Sequence, residues 1–415
     1  MSDRPLVSLD TVARLVTEKT AGSKELTRPY VGLEHMKTDS PDLLGFGSAA
    51  NSISINGIFE QGDTLFGKLR PNLRKTVLAP FPGYCSTDIL ILRPNAGYLP
   101  GFVARLFQSG NVFSRAIQTS IGTKMPRTSW TSMRRLPVYA PSCDEQALIS
   151  EFVDQLDEQV RKTEHLVAKL KLVKQGLLHD LLTRGIDDNG ELRGLDRHPE
   201  QFKDSPLGCI PKSWETPLLG TVAKIRSGTT PSRDIGQFWS RGSIPWVKTA
   251  EICFAPIYTT EEKVTEIALH STSLDLFPPT TVLIAMYGQG ATRGRCGILQ
   301  ISATINQACA AIQGNPQIVD QNFLFQLLCA KYEHLRGLGH GSQQTNLSSS
   351  LLTQVRLPFP PLAEQRVINS VVSQVDSRIE TETGSAAKLR LLKQALMDDL
   401  LTGRVRVTPL LEGNF

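Results

Sequence analysis

The sequence predicts an α+β protein: two similar mixed domains joined by two long antiparallel coiled-coil helices, built as a tandem internal repeat. Three observations predict it. The first is self-similarity at a fixed offset of 219 residues. KQGLLHDLLT at 174–183 recurs as KQALMDDLLT at 393–402, and 17 of the 39 positions in 145–183 and 364–402 are identical, far above what unrelated helices share. The second is helical periodicity. Ile149, Val153, Leu156, Val160, Val167, Leu170, Leu177 and Leu181 step by threes and fours or their sums, and Ile368, Val372, Val375, Ile379, Ala386, Leu389 and Leu400 keep that register, as an a/d seam does. The third is short apolar runs, such as 88–92 and 281–285, punctuated by Gly and Pro, which read as strands of compact mixed domains.

Taken in order, residues 1–143 form the first mixed domain and 144–185 the first helix, stopped by Arg184-Gly185. Residues 186–210, rich in Asp, Gly, Arg and Pro, read as a surface linker. Residues 211–360 form the second domain, 361–404 the second helix and 405–415 a tail. Short helices are expected at 101–109 and 320–331. A helix of about 39 residues is about 58 Å long, more than one core can bury. Its partner is expected to be the second copy within the chain, because both helices break their seam at matching places, Thr163 with Glu382 and Lys174 with Lys393.

Charge narrows the function. Between Thr64 and Cys143 the only acid is Asp88, against eleven Lys and Arg: Lys68, Arg70, Arg74, Lys75, Arg93, Arg105, Arg115, Lys124, Arg127, Arg134 and Arg135. Such an excess repels itself unless a polyanion is the partner. No apolar run reaches the length of a membrane span, and the start MSDRPLVSLD lacks a signal-peptide core. Seven scattered cysteines without CxxC spacing fit free thiols in a reducing cytoplasm and give no metal site.

Catalytic motifs are thin. GDTLFGK at 62–68 has phosphate-loop spacing, but Leu69 stands where a Mg²⁺-binding hydroxyl is needed. It reads better as a turn, a strand and a basic tip at Lys68 and Arg70, with Arg74 and Lys75 beyond. Thr260 to Lys263 is the nearest approach to a nuclease motif, and a solvated helix face explains it better. No catalytic residue is assigned. Two loops at equivalent positions instead suit base reading: Thr123, Lys124 and Arg127 in the first half, and Gln343, Gln344 and Asn346 in the second. Lys and Arg match guanine edges, Gln and Asn adenine edges. A third segment, 287–295, joins Tyr287, Gln289, Arg293 and Arg295 to glycines that allow close backbone approach; it also reads as a hairpin tip.

The order of parts resembles the specificity (S) subunit of type I restriction-modification systems. The resemblance rests on Pro360-Pro361-Leu362-Ala363-Glu364-Gln365, on the two Lys-Gln…Asp-Leu-Leu-Thr helix ends, and on the opening Gly208-Cys209-Ile210-Pro211-Lys212-Ser213-Trp214-Glu215. The first half departs from it, with Ser142-Cys143-Asp144-Glu145-Gln146 in place of the Pro-Leu-x-Glu-Gln form. The resemblance implies a non-catalytic subunit in which each domain reads one half of a bipartite, asymmetric double-stranded DNA target. It implies helices that fix the separation of the halves and dock two methyltransferase subunits, with restriction subunits joining them. Gln146, Lys174, Gln175, Asp180, Gln365, Lys393, Gln394 and Asp399 are the expected docking positions. No cofactor is expected here; S-adenosylmethionine, ATP and Mg²⁺ belong to the partners. Two other readings stay open: an adaptor that binds protein only, and a specificity subunit of a methylation-only or phage-exclusion system.

Overall fold

The structure is a computed structural model that describes residues 6–21, 27–49, 55–288, 291–338 and 346–411. The chain divides into two compact units, Met1–Leu166 with Glu382–Phe415, and Val167–Thr381.

The first unit holds two sheets. One is a four-stranded antiparallel sheet ordered Ala13–Val16, Ile89–Pro94, Thr64–Gly67, Thr76–Leu78. The other has five strands ordered Lys19–Ala21, Ile55–Phe59, Gly83–Ser86, Pro29–Val31, Gly47–Ser48. Ile89, Leu90, Ile91 and Leu92 are all buried. The strand is therefore covered on both faces, which is why it reads as an unbroken apolar run and not as an alternation. Helices Pro100–Phe107 and Gly110–Gln118 add Phe102, Phe107 and Phe113 to a core that also takes Val153, Met397 and Leu400 from the long helices. The turn–strand–basic tip expected at 62–68 is present, with the strand at Thr64–Gly67.

The second unit repeats the plan. Its main sheet is ordered Ala223–Ser227, Cys309–Gly314, Val282–Ala285, Cys296–Leu299, Pro256–Ile257, beside a three-stranded sheet of Glu262–Val264, Ile244–Val247 and Thr304–Ile305. The helix Gln321–Ala330 packs on it. Both units close in the same way. In the first, Leu6–Ser8 pairs with Pro137–Tyr139 just before the long helix. In the second, Glu215 and Leu218 bridge to Phe359 and Arg356.

Two readings need correction. Glu262 and Lys263 lie in a strand, not on a helix face; Glu262 turns toward Arg233 and Lys248. The segment read as a linker is folded. It forms a hairpin of Phe202–Ser205 with Gly208–Pro211 and buries Ile186, Phe202 and Ile210. Its apolar residues are too few and too widely spaced to register as a period, yet Ile186 and Ile210 join the second unit's core.

The long helices span Cys143–Thr183 and Leu362–Leu400. In the first unit Asp157 pairs with Lys393 and Glu164 with Arg390. In the second, Lys174 pairs with Asp376 at 2.6 Å and Glu364 receives the amide of Ile186 at 2.9 Å. In each unit one residue number rises as its partner's falls, so the helical segments run antiparallel. Asp157–Lys393 and Asp376–Lys174 are the same pair under the 219-residue offset. One ancestral contact is thus used twice.

The docking expectation fails for two residues. Gln146 and Gln365 are 1% and 0% exposed. Gln146 accepts from the Leu99 amide and donates to the Gly97 and Pro141 carbonyls at 2.8–3.1 Å. Gln365 does the same with Asp320, Ile318 and Pro360 at 2.8 Å. Each buried amide clamps its helix start to its own domain, and every polar atom used is satisfied.

Candidate nucleic-acid interface

In the first unit the structure gathers residues far apart in sequence. The loop after Gly122 returns against the end of the strand Thr64–Gly67, with Leu69 and Ile121 both bridging to Arg127. The Arg70 amide donates to Pro126 O at 2.7 Å and its guanidinium to Lys124 O at 3.2 Å. Gly122 has φ +106°, and a Cβ there would meet the Met125 carbonyl at 3.4 Å. The tight return therefore depends on glycine. Lys68 is half-buried, whereas Arg70, Thr123 and Lys124 are exposed. Together they make one basic, polar edge that a phosphate backbone or base edges could meet.

Arg127 behaves differently from the expectation. Its Nε and Nη2 donate to the two oxygens of Asp88 at 2.8 and 3.0 Å, and Nη1 to Met125 O at 3.3 Å. The fork that would read guanine is filled by the one acid of this region, and Arg127 positions the loop. Lys75 is likewise engaged, donating to Leu33 O at 2.7 Å. Arg74 lies 5.2 Å from the Phe113 ring centre and 3.5 Å from Asp39. Of the remaining cations, Arg93 forks onto buried Asp63 and Arg105 onto Asp154 and Asp157. The raw charge count therefore overstates the surface, because several cations serve the fold.

The Asp88 carboxyl is held below its usual range, chiefly by the hydrogen bond from Arg127, against a smaller opposing effect of burial and with help from the Arg127 and Lys68 charges. A carboxylate whose pKa falls on folding stabilises the fold above its unfolded value of about 4. That contribution is lost as pH drops through the folded value. Amide protection over 121–128, corrected for intrinsic exchange, is expected to fall below about pH 4, and Asp88→Asn is expected to remove this acid step.

In the second unit the segment 287–295 joins Val282–Ala285 to Cys296–Leu299, an antiparallel pair, so it is the expected hairpin tip. Tyr287 is exposed. Arg293 donates to Arg336 O at 3.0 Å, Arg295 to Ala291 O at 2.9 Å, and Tyr332 Oη to Ala291 O at 2.7 Å. Gly294, at φ +84°, would place a Cβ 3.4 Å from the Arg336 amide. Both arginines brace the tip through their own chain. Asn346 is exposed, while Gln289, Gln343 and Gln344 lie outside the described residues. Ser129 and Ser348, at equivalent positions, cap the short helices that follow the two loops.

One cluster was missed. Arg233 stacks 3.7 Å from the Trp239 ring centre and 5.0 Å from that of Trp246, and pairs with Glu262. Lys248 joins it through Glu261 and Glu262 at 2.7 and 3.0 Å. Nothing in the spacing of these residues announced it; two sheet strands and a loop bring them together.

Along the helices, Lys174 and Lys393 are committed to the ion pairs between helices. Asp180 pairs with Arg184 at 2.5 Å and Asp399 with Arg404 at 2.8 Å. Gln175 and Gln394 are exposed. The conspicuous outward residues are apolar: Leu172 and Val173 are 68% and 58% exposed, and Leu391 and Leu392 are 69% and 54% exposed. These two pairs are again equivalent under the offset.

Among the described residues no helix is long and apolar enough to cross a membrane. All seven cysteines are free, and burial pushes the Cys85 thiol up to about 12.

Comparison with known proteins agrees with this architecture. Residues 211–391 match the family described as Type I restriction modification DNA specificity domain. The MjaX type I restriction enzyme specificity subunit of Methanocaldococcus jannaschii is 24% identical over 326 residues, covering 77% of this chain and 72% of that protein. The MjaIX specificity subunit of the same organism is 31% identical over 191 residues, 45% of this chain and 43% of that one. A chain solved in work on complex assembly and conformational transition of the type I R-M system shares the fold at TM-score 0.64 and 19% identity, over 98% of this chain and 100% of that chain. Residues 211–391 thus match a type I restriction modification DNA specificity domain, and over most of its length the chain is similar to type I restriction enzyme specificity subunits.

Proposed function

We propose that this chain is the DNA-reading subunit of a type I restriction-modification complex. Each unit reads one half of a bipartite, asymmetric double-stranded DNA site, and the long helices dock methyltransferase subunits, two in number, which restriction subunits join. The observation that carries this reading is a repeated frame with unlike polar loops. Ahead of each long helix a serine caps a short helix, Ser129 in one unit and Ser348 in the other, and the polar residues just before that cap differ: Thr123 and Lys124 in the first half, Gln343, Gln344 and Asn346 in the second. Lys and Asn face different base edges, as the two halves of an asymmetric target require. Arg70 and Lys68 support the first loop, and Arg127 holds it in place.

The chain itself is read as non-catalytic. Methyl transfer from S-adenosylmethionine and ATP- and Mg²⁺-dependent translocation and cleavage are assigned to the partners. Docking is assigned to the apolar pairs Leu172–Val173 and Leu391–Leu392, flanked by Gln175 and Gln394, because exposed apolar patches at equivalent positions suit partner helices.

The test is sequencing of modified bases in cells that express this chain with its methyltransferase subunit. Methylated adenines in one split motif are expected. An unbroken motif, or modification that does not depend on this chain, would refute the proposal.

A further inference from the structure

The two docking positions are built alike at their floors and unlike at their rims. In the first unit an open groove of about 950 Å³ is lined by Phe152, Leu156, Leu392 and Leu396 below and by polar residues above. The equivalents in the second unit are Val371, Val375, Val173 and Leu177, each apolar and each in the same burial class as its counterpart. Phe152 and Leu396 pack against the first unit's core, and Val371 and Leu177 against the second's. The floor survived the duplication.

The rims diverged. Glu151, Asp154 and Glu158 in the first unit are replaced by Ser370, Ser373 and Ser377 in the second, and Lys162 by Thr381. Ala147 and Gln159 are replaced by Arg366 and Arg378. Over these positions the first rim carries three acids and one lysine, the second two arginines and no acid, so formal charge moves from −2 to +2; Asp154 is paired with Arg105, and Glu158 with Arg161 and Lys162. All four of Ala147, Gln159, Arg366 and Arg378 are exposed. Like charge placed against a partner's charge costs association, and opposite charge speeds it, with strong salt dependence.

We infer that the two docking positions are unequal: the acidic groove of the first unit is the tight, salt-sensitive site for a partner helix whose apolar face is flanked by basic side chains, and the equivalent arginine-bearing helix face of the second unit is the weak site for another copy of the same partner. This rests on the two-copy docking reading above. The complex then assembles in order, first unit before second, although the grooves share an ancestor.

The test uses the full chain and the methyltransferase subunit co-expressed with it, titrated against each other and followed by native mass spectrometry and calorimetry at low and high salt. Two steps that differ by about 10-fold or more at low salt are expected, with the difference shrinking as salt rises. Each test variant carries residues that the other repeat already tolerates at the same helix position. A147R/Q159R is expected to weaken the tight step, and R366A/R378Q to strengthen the weak one. Two equal steps that neither salt nor these exchanges alter would overturn the inference and leave two-copy docking intact. A complete lack of binding would remove both.

Discussion

Exchanging residues 1–143 for the corresponding domain of another specificity subunit is expected to change one half of the methylated motif and leave the other half intact. The physical basis is the separate closure of each unit. The first unit has its own sheets and its own aromatic core of Phe66, Phe102, Phe107 and Phe113, and its candidate base-reading loop is braced from within, by Arg70 and by Asp88 through Arg127. The exchange must respect the joint with the long helices, where Val153, Met397 and Leu400 enter the domain's core and Arg105 pairs with Asp157. Gln146 holds Gly97, Leu99 and Pro141 by three hydrogen bonds, so an incoming domain that cannot offer those backbone groups strands a buried amide, at about 1–3 kcal/mol.

Within the loop, Lys124→Ala is expected to relax one half-site by about 1–3 kcal/mol of discrimination. Arg127→Ala is expected to weaken binding without changing the motif, since its fork grips Asp88. Base-modification sequencing of the exchange and affinity measurements on the point variants check these outcomes. A change in both half-sites, or in neither, would defeat the two-reader arrangement.

The second large effect lies in the helices. Asp157 is 8% exposed and stands between Arg105 at 2.7 Å and Lys393. Asp157→Ala removes the carboxylate between Lys393 and Arg105, which keeps only the exposed Asp154, so a loss of about 3–5 kcal/mol from the first unit is expected. The duplicate pair is wetter: Asp376 is 40% and Lys174 24% exposed. Asp376→Ala is accordingly expected to cost under about 1 kcal/mol. Denaturant titration of the two variants, with each unit's transition resolved, measures the contrast. Equal losses would mean that burial does not set the value of this repeated contact.

Much of the architecture was legible from residues alone. The 219-residue offset survives because helix-packing positions tolerate few residue types, and a repeated set of a/d side chains leaves a visible period. Short runs such as Ile89 to Leu92 were legible for the same reason. The hairpin at 202–211 was not, since its buried apolar residues, Phe202 and Ile210, stand singly and leave no period. The candidate base-reading loops were placed by their equivalent positions in the repeat, but the residues free to make contacts were not separable from those that brace the fold. Lys124 and Arg127 look interchangeable in sequence, and only the carboxylate of Asp88, 39 residues earlier in the chain, distinguishes a free cation from a committed one.

Gln146 and Gln365 make the same point for the helices. Polar residues at the head of an amphipathic helix read as surface, and the carbonyls that bury them come from loops nearly 50 residues away. The sequence by itself determined the duplication, the antiparallel pairing of like helices and the basic character of the first domain, because periodicity and charge are properties of the chain order. Only the tertiary structure decided which charges are committed to the fold, which glutamines are clamps, and which apolar pairs face outward. Those outcomes depend on which groups meet across the fold, and long-range contacts between single side chains leave no period to read.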